Sequence, residues 1–414
     1  MKLTIENIGK VKDAEIEING LTIIAGKNAT GKSTVSKSLF AMFNSFFKTN
    51  QMYTLHKEMA ISNRLKRLDN FFDIFYLGED RIDLSDFVSE LSQAGSIEEI
   101  MNAFKVRGLE TETNKMDLSK LAGEISKYNE LTIRQVLEEE TESCFKQEFY
   151  HNINNVNSQN ENGIIELKIK EHTFKTVFNN NELIDFDAPI SLDYEPIYID
   201  DPFIVDTINQ RKHLGVFASN NKINRTHREV LLKQYNKSES ENPFDQAITK
   251  QELNSVYYKI LKILNEDGIK VEYRYDNSQS ENNILNINNL SSGMKTFWLL
   301  KKLLDNNTIE ENSPVILDEP EVHLHPEWQL VLAEIIVLLQ KHMSLNFLIN
   351  THSPYFLRAI EVYSVKHEVT PKTKYYFAEK DGLYSKITDV SENTSIIYKV
   401  LATPLQNIEN ERYL

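Results

Sequence analysis

Leu21-Thr22-Ile23-Ile24-Ala25-Gly26-Lys27-Asn28-Ala29-Thr30-Gly31-Lys32-Ser33 is the stretch from which the rest of the chain can be read. Its first five residues form a short apolar run, the pattern of a buried strand. Gly26 to Ser33 is a complete G-x-x-x-x-G-K-S match, and it lies between that strand and a helical spacing of Val35, Leu39, Phe40, Met42 and Phe43. Glycines let the backbone wrap a phosphate, while amide N–H groups and the start of a helix attract the anion. Gly26, Lys27, Asn28, Ala29, Thr30 and Gly31 would supply that loop. Lys32 would reach the β- and γ-phosphates, the Ser33 hydroxyl would ligate Mg²⁺, and Thr34 follows in the same turn.

Upstream of this stretch, Leu3-Thr4-Ile5 and Ala14-Glu15-Ile16-Glu17-Ile18 alternate apolar and polar, as half-buried antiparallel strands do. Asn19-Gly20 marks a turn. Downstream lie three more motifs. Val315-Ile316-Leu317-Asp318-Glu319 is an apolar strand ending in two carboxylates. Asp318 fits a second Mg²⁺-orienting position, and Glu319 stands where a general base would polarise an attacking water. Asn289-Leu290-Ser291-Ser292-Gly293-Met294-Lys295 puts small polar residues and a glycine at the opening of a helix, a second anion-binding surface. Phe347-Leu348-Ile349-Asn350-Thr351-His352 is a strand running into a histidine, which in this company is read as a γ-phosphate contact.

In this order the motifs resemble those of ABC-type ATPases of the SMC/RecF/OLD-like group: Walker A at Gly26–Ser33, signature at Leu290–Gly293, Walker B at Val315–Glu319 and a switch histidine at His352. Asp318-Glu319-Pro320-Glu321-Val322-His323-Leu324-His325-Pro326-Glu327-Trp328-Gln329 is similar to the DEPExHLHPxxQ stretch of the compact stand-alone bacterial branch. His325 stands there where many ABC proteins carry the Asp of the D-loop. The resemblance implies a homodimer or higher oligomer that sandwiches two ATP. Each ATP would be held by one subunit's Gly26–Ser33 and capped by the other's Leu290, Ser291, Ser292 and Gly293. Gln210 is the candidate Q-loop glutamine. ATP and Mg²⁺ are the implied cofactors, and Glu319 and His352 the implied catalytic residues.

The interval between Ser33 and Leu290 is far longer than in a transporter nucleotide-binding subunit, and no heptad pattern is sustained over it. The residues that follow His352 are too few for the TOPRIM nuclease domain of OLD-type proteins. The chain therefore resembles an ATPase subunit without its own effector, such as the Septu-type subunit of anti-phage defence. That resemblance implies control of a separately encoded nuclease or toxin. The alternative is a RecF-like repair ATPase that clamps DNA, for which Arg64-Leu65-Lys66-Arg67, Arg211-Lys212, Arg225 and Arg228 are the basic candidates. A scaffold that uses ATP only as glue fits less well, because Glu319 is intact.

Composition agrees. The 414 residues carry a formal net charge of −15, which speaks against a broad non-specific grip on nucleic acid. A single cysteine, Cys144, excludes an internal disulfide framework. There is no apolar run long enough for a membrane span and no apolar leader after Met1, so a cytoplasmic protein is expected.

The predicted class is α/β, an ABC-type P-loop ATPase core built on a mixed sheet, with helical insertions. Its expected parts are core at 1–50, a helical insertion at 51–162, core strands at 163–204, a helical lobe at 205–270 and core again at 271–414. Helices are predicted within Leu65–Ile74, Phe87–Leu91, Ile97–Phe104 and Leu131–Phe145, with capping boxes at Ser96–Glu99 and Thr132–Gln135. The Asn-rich residues 151–163 read as an exposed loop. Ile164–Ile169 with Thr173–Phe178 reads as a hairpin, and Ile197–Ile199, Val271–Tyr275, Tyr375–Phe377 and Tyr384–Ile387 as strands.

Overall fold

The computed structural model describes residues 1–68, 83–110, 115–158, 160–207, 226–238, 243–265, 270–272, 284–286 and 289–411. The part of the Leu65–Ile74 helix beyond residue 68, Gln210, Arg211, Lys212, Arg225 and the strand residues 273–275 lie outside the described residues. Two compact units are present. One comprises 1–44, 142–190 and 194–414, and the other comprises 45–141 and 191–193.

The larger unit is built on a mixed sheet, as the α/β expectation requires. Its parallel block holds β3 (Leu21–Gly26), β7 (Ile197–Ile199), β10 (Pro314–Asp318), β11 (Asn346–Thr351) and β12 (Thr373–Asp381), in the order β12-β3-β11-β10-β7. β3 and β7 are buried at every residue, β10 and β11 at all but one, and β12 up to Ala378 except Lys374. Continuous Val, Ile and Leu runs suit that setting, because both faces of a parallel sheet are covered. Helix α1 (Lys32–Phe46) follows β3 directly. The remaining strands pair mainly antiparallel: β1 (Lys2–Ile8), β2 (Val11–Glu17), β4 (Gly163–Ile169), β5 (His172–Asn179) and β6 (Glu182–Asp187). β13 (Tyr384–Asp389) runs antiparallel to β12 and parallel to β2, joining the two halves of the sheet. In β1, Leu3 and Ile5 are fully buried while Lys2 and Glu6 are exposed, the alternation read from sequence.

The order of the parallel block places the site. Gly26, Asp318, Thr351 and Ile199 all end their strands at the same, carboxyl edge of the sheet. Loops leaving that edge are where α/β sheets bind ligands.

The loop after α6 (Ile133–Glu148) is exposed at most of its described residues, as its composition predicts, but it is pinned at Ile153, Asn154 and Asn155, which are buried. Asn154 is 2% exposed and Asn155 0%. Asn154 and Asn181 each accept a backbone N–H from the other, at 2.9 Å, and the Asn154 amide donates to the Glu161 and Phe178 carbonyls. Asn7 in β1 donates to the Ser158 and Glu161 carbonyls. Asn7, Asn154 and Asn181 are spent as backbone mimics beside β1, β4 and β5; their side chains do what a strand partner would do. Asn180 and Asn181 both adopt positive φ (50° and 66°), closing β5 and β6 through a two-residue turn of the kind that favours asparagine.

The smaller unit is helical: α2 (Thr49–Leu65), α3 (Leu84–Gln93), α4 (Ile97–Val106), α5 (Lys115–Glu130) and the opening turns of α6. Its own core gathers Ile61, Phe87, Leu91, Ile100, Phe104, Leu121 and Ile125. At the start of α6, Thr132 and Gln135 form the reciprocal cap expected, with N–H to side-chain bonds of 2.9 and 3.3 Å. At the start of α4 the match is half complete. Ser96 accepts from Glu99 N–H at 3.2 Å, whereas the Glu99 carboxylate takes the N–H of Gly95.

In the larger unit, α7 (His227–Tyr235), α8 (Pro243–Glu252) and α9 (Asn254–Leu264) precede the short parallel pair β8 (Lys270–Glu272) and β9 (Ile284–Asn286). Then come α10 (Ser292–Asp305), α11 (Pro326–Met343), α12 (Pro354–Lys366) and α13 (Ser395–Glu411). Glu334 of α11 ties three helices together: it accepts from Lys259 at 2.6 Å and Lys366 at 2.8 Å and lies 3.0 Å from the His367 ring. Burial raises its pKa, but these partners outweigh that and bring it to about 2.

Candidate active site

The loop between β3 and α1 has the backbone needed to surround a phosphate. Ala29 adopts φ +62° and Gly31 φ +83°, both left-handed. A Cβ on Gly31 would come within 2.8 Å of a Val11 methyl, so only glycine fits there. Alternation of left- and right-handed residues turns successive N–H groups to one side and makes an anion-binding concavity. Lys27, Asn28 and Ala29 are exposed, and Thr30 is buried with its hydroxyl bonded to the Lys27 carbonyl at 2.8 Å. Thr30 thus holds the loop's shape with its side chain. Lys32, 5% exposed, donates to the Gly26 and Lys27 carbonyls at 3.0 Å each, so its ammonium stays against the loop. Ser33, exposed at the first turn of α1, lines a cavity of about 340 Å³ together with Asp318, Glu319 and Asp200.

Asp318 and Glu319 leave β10 in different directions. Asp318 Oδ1 accepts from Asn350 Nδ2 at 2.8 Å and Oδ2 from the Tyr198 hydroxyl at 3.0 Å. The Asn350 amide is shared with the Ser36 hydroxyl, also at 2.8 Å. Glu319 sits at φ +52°, a strained backbone for a non-glycine residue. That turn carries its carboxylate to 3.6 Å from Lys32 Nζ and 3.3 Å from His352 Nδ1. His352, and then Lys32, hold the Glu319 carboxyl below the usual range, and Glu319 in turn raises the His352 pKa.

Glu321, 2% exposed, accepts from the Thr351 hydroxyl at 2.5 Å and the His352 N–H at 3.1 Å, so it fixes the backbone that carries His352. Burial pushes its pKa up.

Three sequence motifs that converge here, namely Lys32 with Ser33, Asp318 with Glu319, and His352, come from three strand ends of one sheet edge. The fourth opens α10. Ser291 caps that helix by accepting from Met294 N–H at 3.3 Å. Gly293 lies against Trp328: a Cβ would meet its ring at 2.9 Å and the His323 carbonyl at 3.2 Å. Leu290 is buried in the core. His323 and His325 have separate partners. The His323 ring meets Phe203 edge-on at 5.2 Å, and His325 caps α11 through Glu327 N–H.

Sequence reasoning missed Tyr198 and Glu321. Tyr198 sits in a strand that reads only as apolar, and its polar tip was the available signal. Glu321 stands in a contiguous motif whose local pattern assigns it no task.

A Ser hydroxyl and an Asp carboxylate are hard oxygen donors of the kind Mg²⁺ takes, usually one or two carboxylates completed by phosphate oxygens. With Asp318 held by a donor on each oxygen and Ser33 lining the same cavity, the residues present fit that ion.

Residues 1–357 match the family described as AAA ATPase domain. The match spans most of the chain, and the chain belongs to that family. Among solved structures, the SMC head domain from Thermotoga maritima is 12% identical, covers 94% of this chain and 98% of its own, and superposes with a TM-score of 0.35. An SmcHead bound to the C-winged helix domain of ScpA is 11% identical, with coverages of 95% and 98% and a TM-score of 0.39. These likenesses are distant, and the class stands on the family match and on the geometry. No helix among the described residues is long and apolar enough to cross a membrane.

Proposed function

We propose that this chain is an ABC-type, SMC-like switch ATPase that binds and hydrolyses ATP, dimerises around two nucleotides and controls a separately encoded effector. The observation that carries the reading is the convergence of Lys32, Asp318, Glu319 and His352 at the loop Gly26–Ser33. The loop N–H groups and Lys32 bind the phosphates. Ser33 and Asp318 would hold Mg²⁺, which supplies charge neutralisation for the transferring phosphoryl group. Glu319, ionised because His352 and Lys32 lower its pKa, accepts the proton of the attacking water as the bond from the γ-phosphorus to the bridging oxygen breaks. His352, braced by Glu321, faces the γ-phosphate. In the dimer Leu290–Gly293 of one subunit caps the nucleotide of the other.

The effector is a nuclease or toxin, and anti-phage defence is the setting. Charge favours this over a RecF-like clamp. Arg64 is taken by Glu124 at 3.2 Å and the Tyr128 hydroxyl at 2.8 Å, and Arg228 by Asp200 at 2.7 Å, so these candidates for nucleic-acid contact are already paired. With a net charge of −15, nucleic-acid contact falls to a partner.

Glu319→Gln tests the engine. Steady-state ATP turnover should fall about 100- to 1,000-fold, as loss of a general base requires, with nucleotide binding kept and a dimer accumulating on ATP in light scattering. Unaltered turnover would exclude Glu319 as the base. Affinity capture of the tagged protein from its native host should bring down a nuclease or toxin; capture of DNA alone, with salt-dependent affinity, would favour the clamp.

A further inference from the structure

We propose that Tyr198 is a positioning residue for Asp318, one half of a two-sided clamp that aims this carboxylate at the magnesium ion; the proposal rests on the reading of Asp318 as a residue that holds Mg²⁺. Strand β10 is flanked by β7 on one side and β11 on the other. Each neighbour sends one donor to Asp318: the Tyr198 hydroxyl to Oδ2 at 3.0 Å and the Asn350 amide to Oδ1 at 2.8 Å. The register explains the reach. Asn350 pairs directly with Asp318, whereas Tyr198 pairs with Ile316. Residues two apart on a strand point to the same face, so Tyr198 and Asp318 share a face one repeat apart, and a phenol spans that offset. With one donor on each oxygen, the carboxylate cannot turn about its terminal bond without losing a hydrogen bond.

Tyr198 has no freedom of its own. It is 1% exposed, and its ring stacks on His227 at 4.2 Å and 27° and leans on Phe40 at 6.0 Å. His227 is pinned in turn. Glu148 accepts from its backbone N–H at 3.0 Å and lies 2.7 Å from Nδ1, and Asp200 lies 3.1 Å from Nε2. Arg228 completes the group on Asp200. This cluster sets the phenol that sets Asp318. Outer-shell partners of metal-holding side chains commonly change metal affinity about 10- to 100-fold when lost.

Tyr198→Phe keeps the ring, the stacking and the volume and removes one hydroxyl. The measurement is the affinity of a fluorescent ATP analogue for the full chain, titrated with Mg²⁺ and repeated in EDTA. The Mg²⁺ concentration that gives half of the magnesium-dependent gain in affinity should rise at least tenfold, with affinity in EDTA within twofold of wild type. In an Asp318→Asn background, Tyr198→Phe should add no further shift. An unchanged Mg²⁺ midpoint, or an equal loss in EDTA, overturns the proposal. Failure of the underlying reading looks different: Asp318→Asn alone would leave the wild-type Mg²⁺ dependence intact, and the proposal falls with it. Should Tyr198→Phe not fold, His227→Gln loosens the phenol without touching Asp318. It should raise the same midpoint at least threefold, and no change there is equally fatal.

Discussion

In the smaller unit, Phe87, Leu91, Ile100, Phe104 and Leu121 close a core whose buried polar companions, among the described residues, are all hydroxyls: Ser45, Thr49, Ser92, Ser126 and Thr141. The larger unit buries hydrocarbon just as thoroughly, but it also buries Lys32, Glu148, His227, Lys295, Glu321 and Glu334. Taking a charge out of water is costly unless it is paired, and each of these has its partner within hydrogen-bonding reach. Four of them lie in the Gly26–Ser33 loop, beside His352 or in the cluster behind Asp318. Buried charge marks the unit that has chemistry to do, and its absence from the helical core marks a unit built by packing alone.

The contrast can be broken in each unit separately. Phe104→Ala should cost the most. Its ring is 0% exposed and meets Phe87 edge-on at 5.9 Å. Truncating such a ring costs about 3–5 kcal/mol, readable in denaturant melts. Nucleotide affinity should stay within about threefold, since the Gly26–Ser33 loop belongs to the other unit.

The next effect is a pH dependence in the charged cluster. Burial lowers the His227 pKa, but Asp200 and Glu148 outweigh it and raise it to about 9 from 6.5. A raised folded pKa stabilises fully below pH 6.5 and loses that contribution as pH climbs to 9. The upper bound is about 3 kcal/mol. Asp200 shows the same ion pair from the acid side: burial raises its pKa, the partners bring it to about 2 from 3.8, and its contribution disappears as pH falls through that window. Denaturant midpoints of the wild type should therefore fall between pH 6.5 and 9. His227→Gln should flatten that slope. An equally steep slope in the variant would mean that the group titrating there is not His227.

The smallest effect is expected in the helical unit's only fully reciprocal box among those predicted. Thr132→Ala removes the acceptor for Gln135 N–H and should cost about 1 kcal/mol, visible as a small drop in melting temperature.

Much of this was legible before any coordinates. The phosphate loop, the two carboxylates after Val315-Ile316-Leu317 and the strand ending at His352 are local patterns, and local patterns survive in sequence because the backbone that uses them is contiguous. Within the Asn-rich residues 151–163, the buried turn at Ile153–Asn155 was not legible, for the opposite reason. Composition marks asparagine as a loop residue, but whether its amide meets water or a stray strand end depends on Asn7 and Asn181, which are far off in the chain. Tyr198 was hidden because a three-residue apolar strand gives its aromatic residue no visible task.

By itself, then, the sequence determined the class of the fold, the Gly26–Ser33 loop and the candidate residues for ATP chemistry, since each is written in contiguous residues whose spacing obeys backbone geometry. Tertiary structure decided what aims them. The strand order β11-β10-β7 puts Asn350 and Tyr198 on opposite sides of Asp318. The left-handed turn at Glu319 brings its carboxylate between Lys32 and His352. Folding brings Glu148 to His227 across 79 residues of chain. Those are non-local contacts, and no single-sequence pattern encodes them because the partners become neighbours only when the sheet and its helices close.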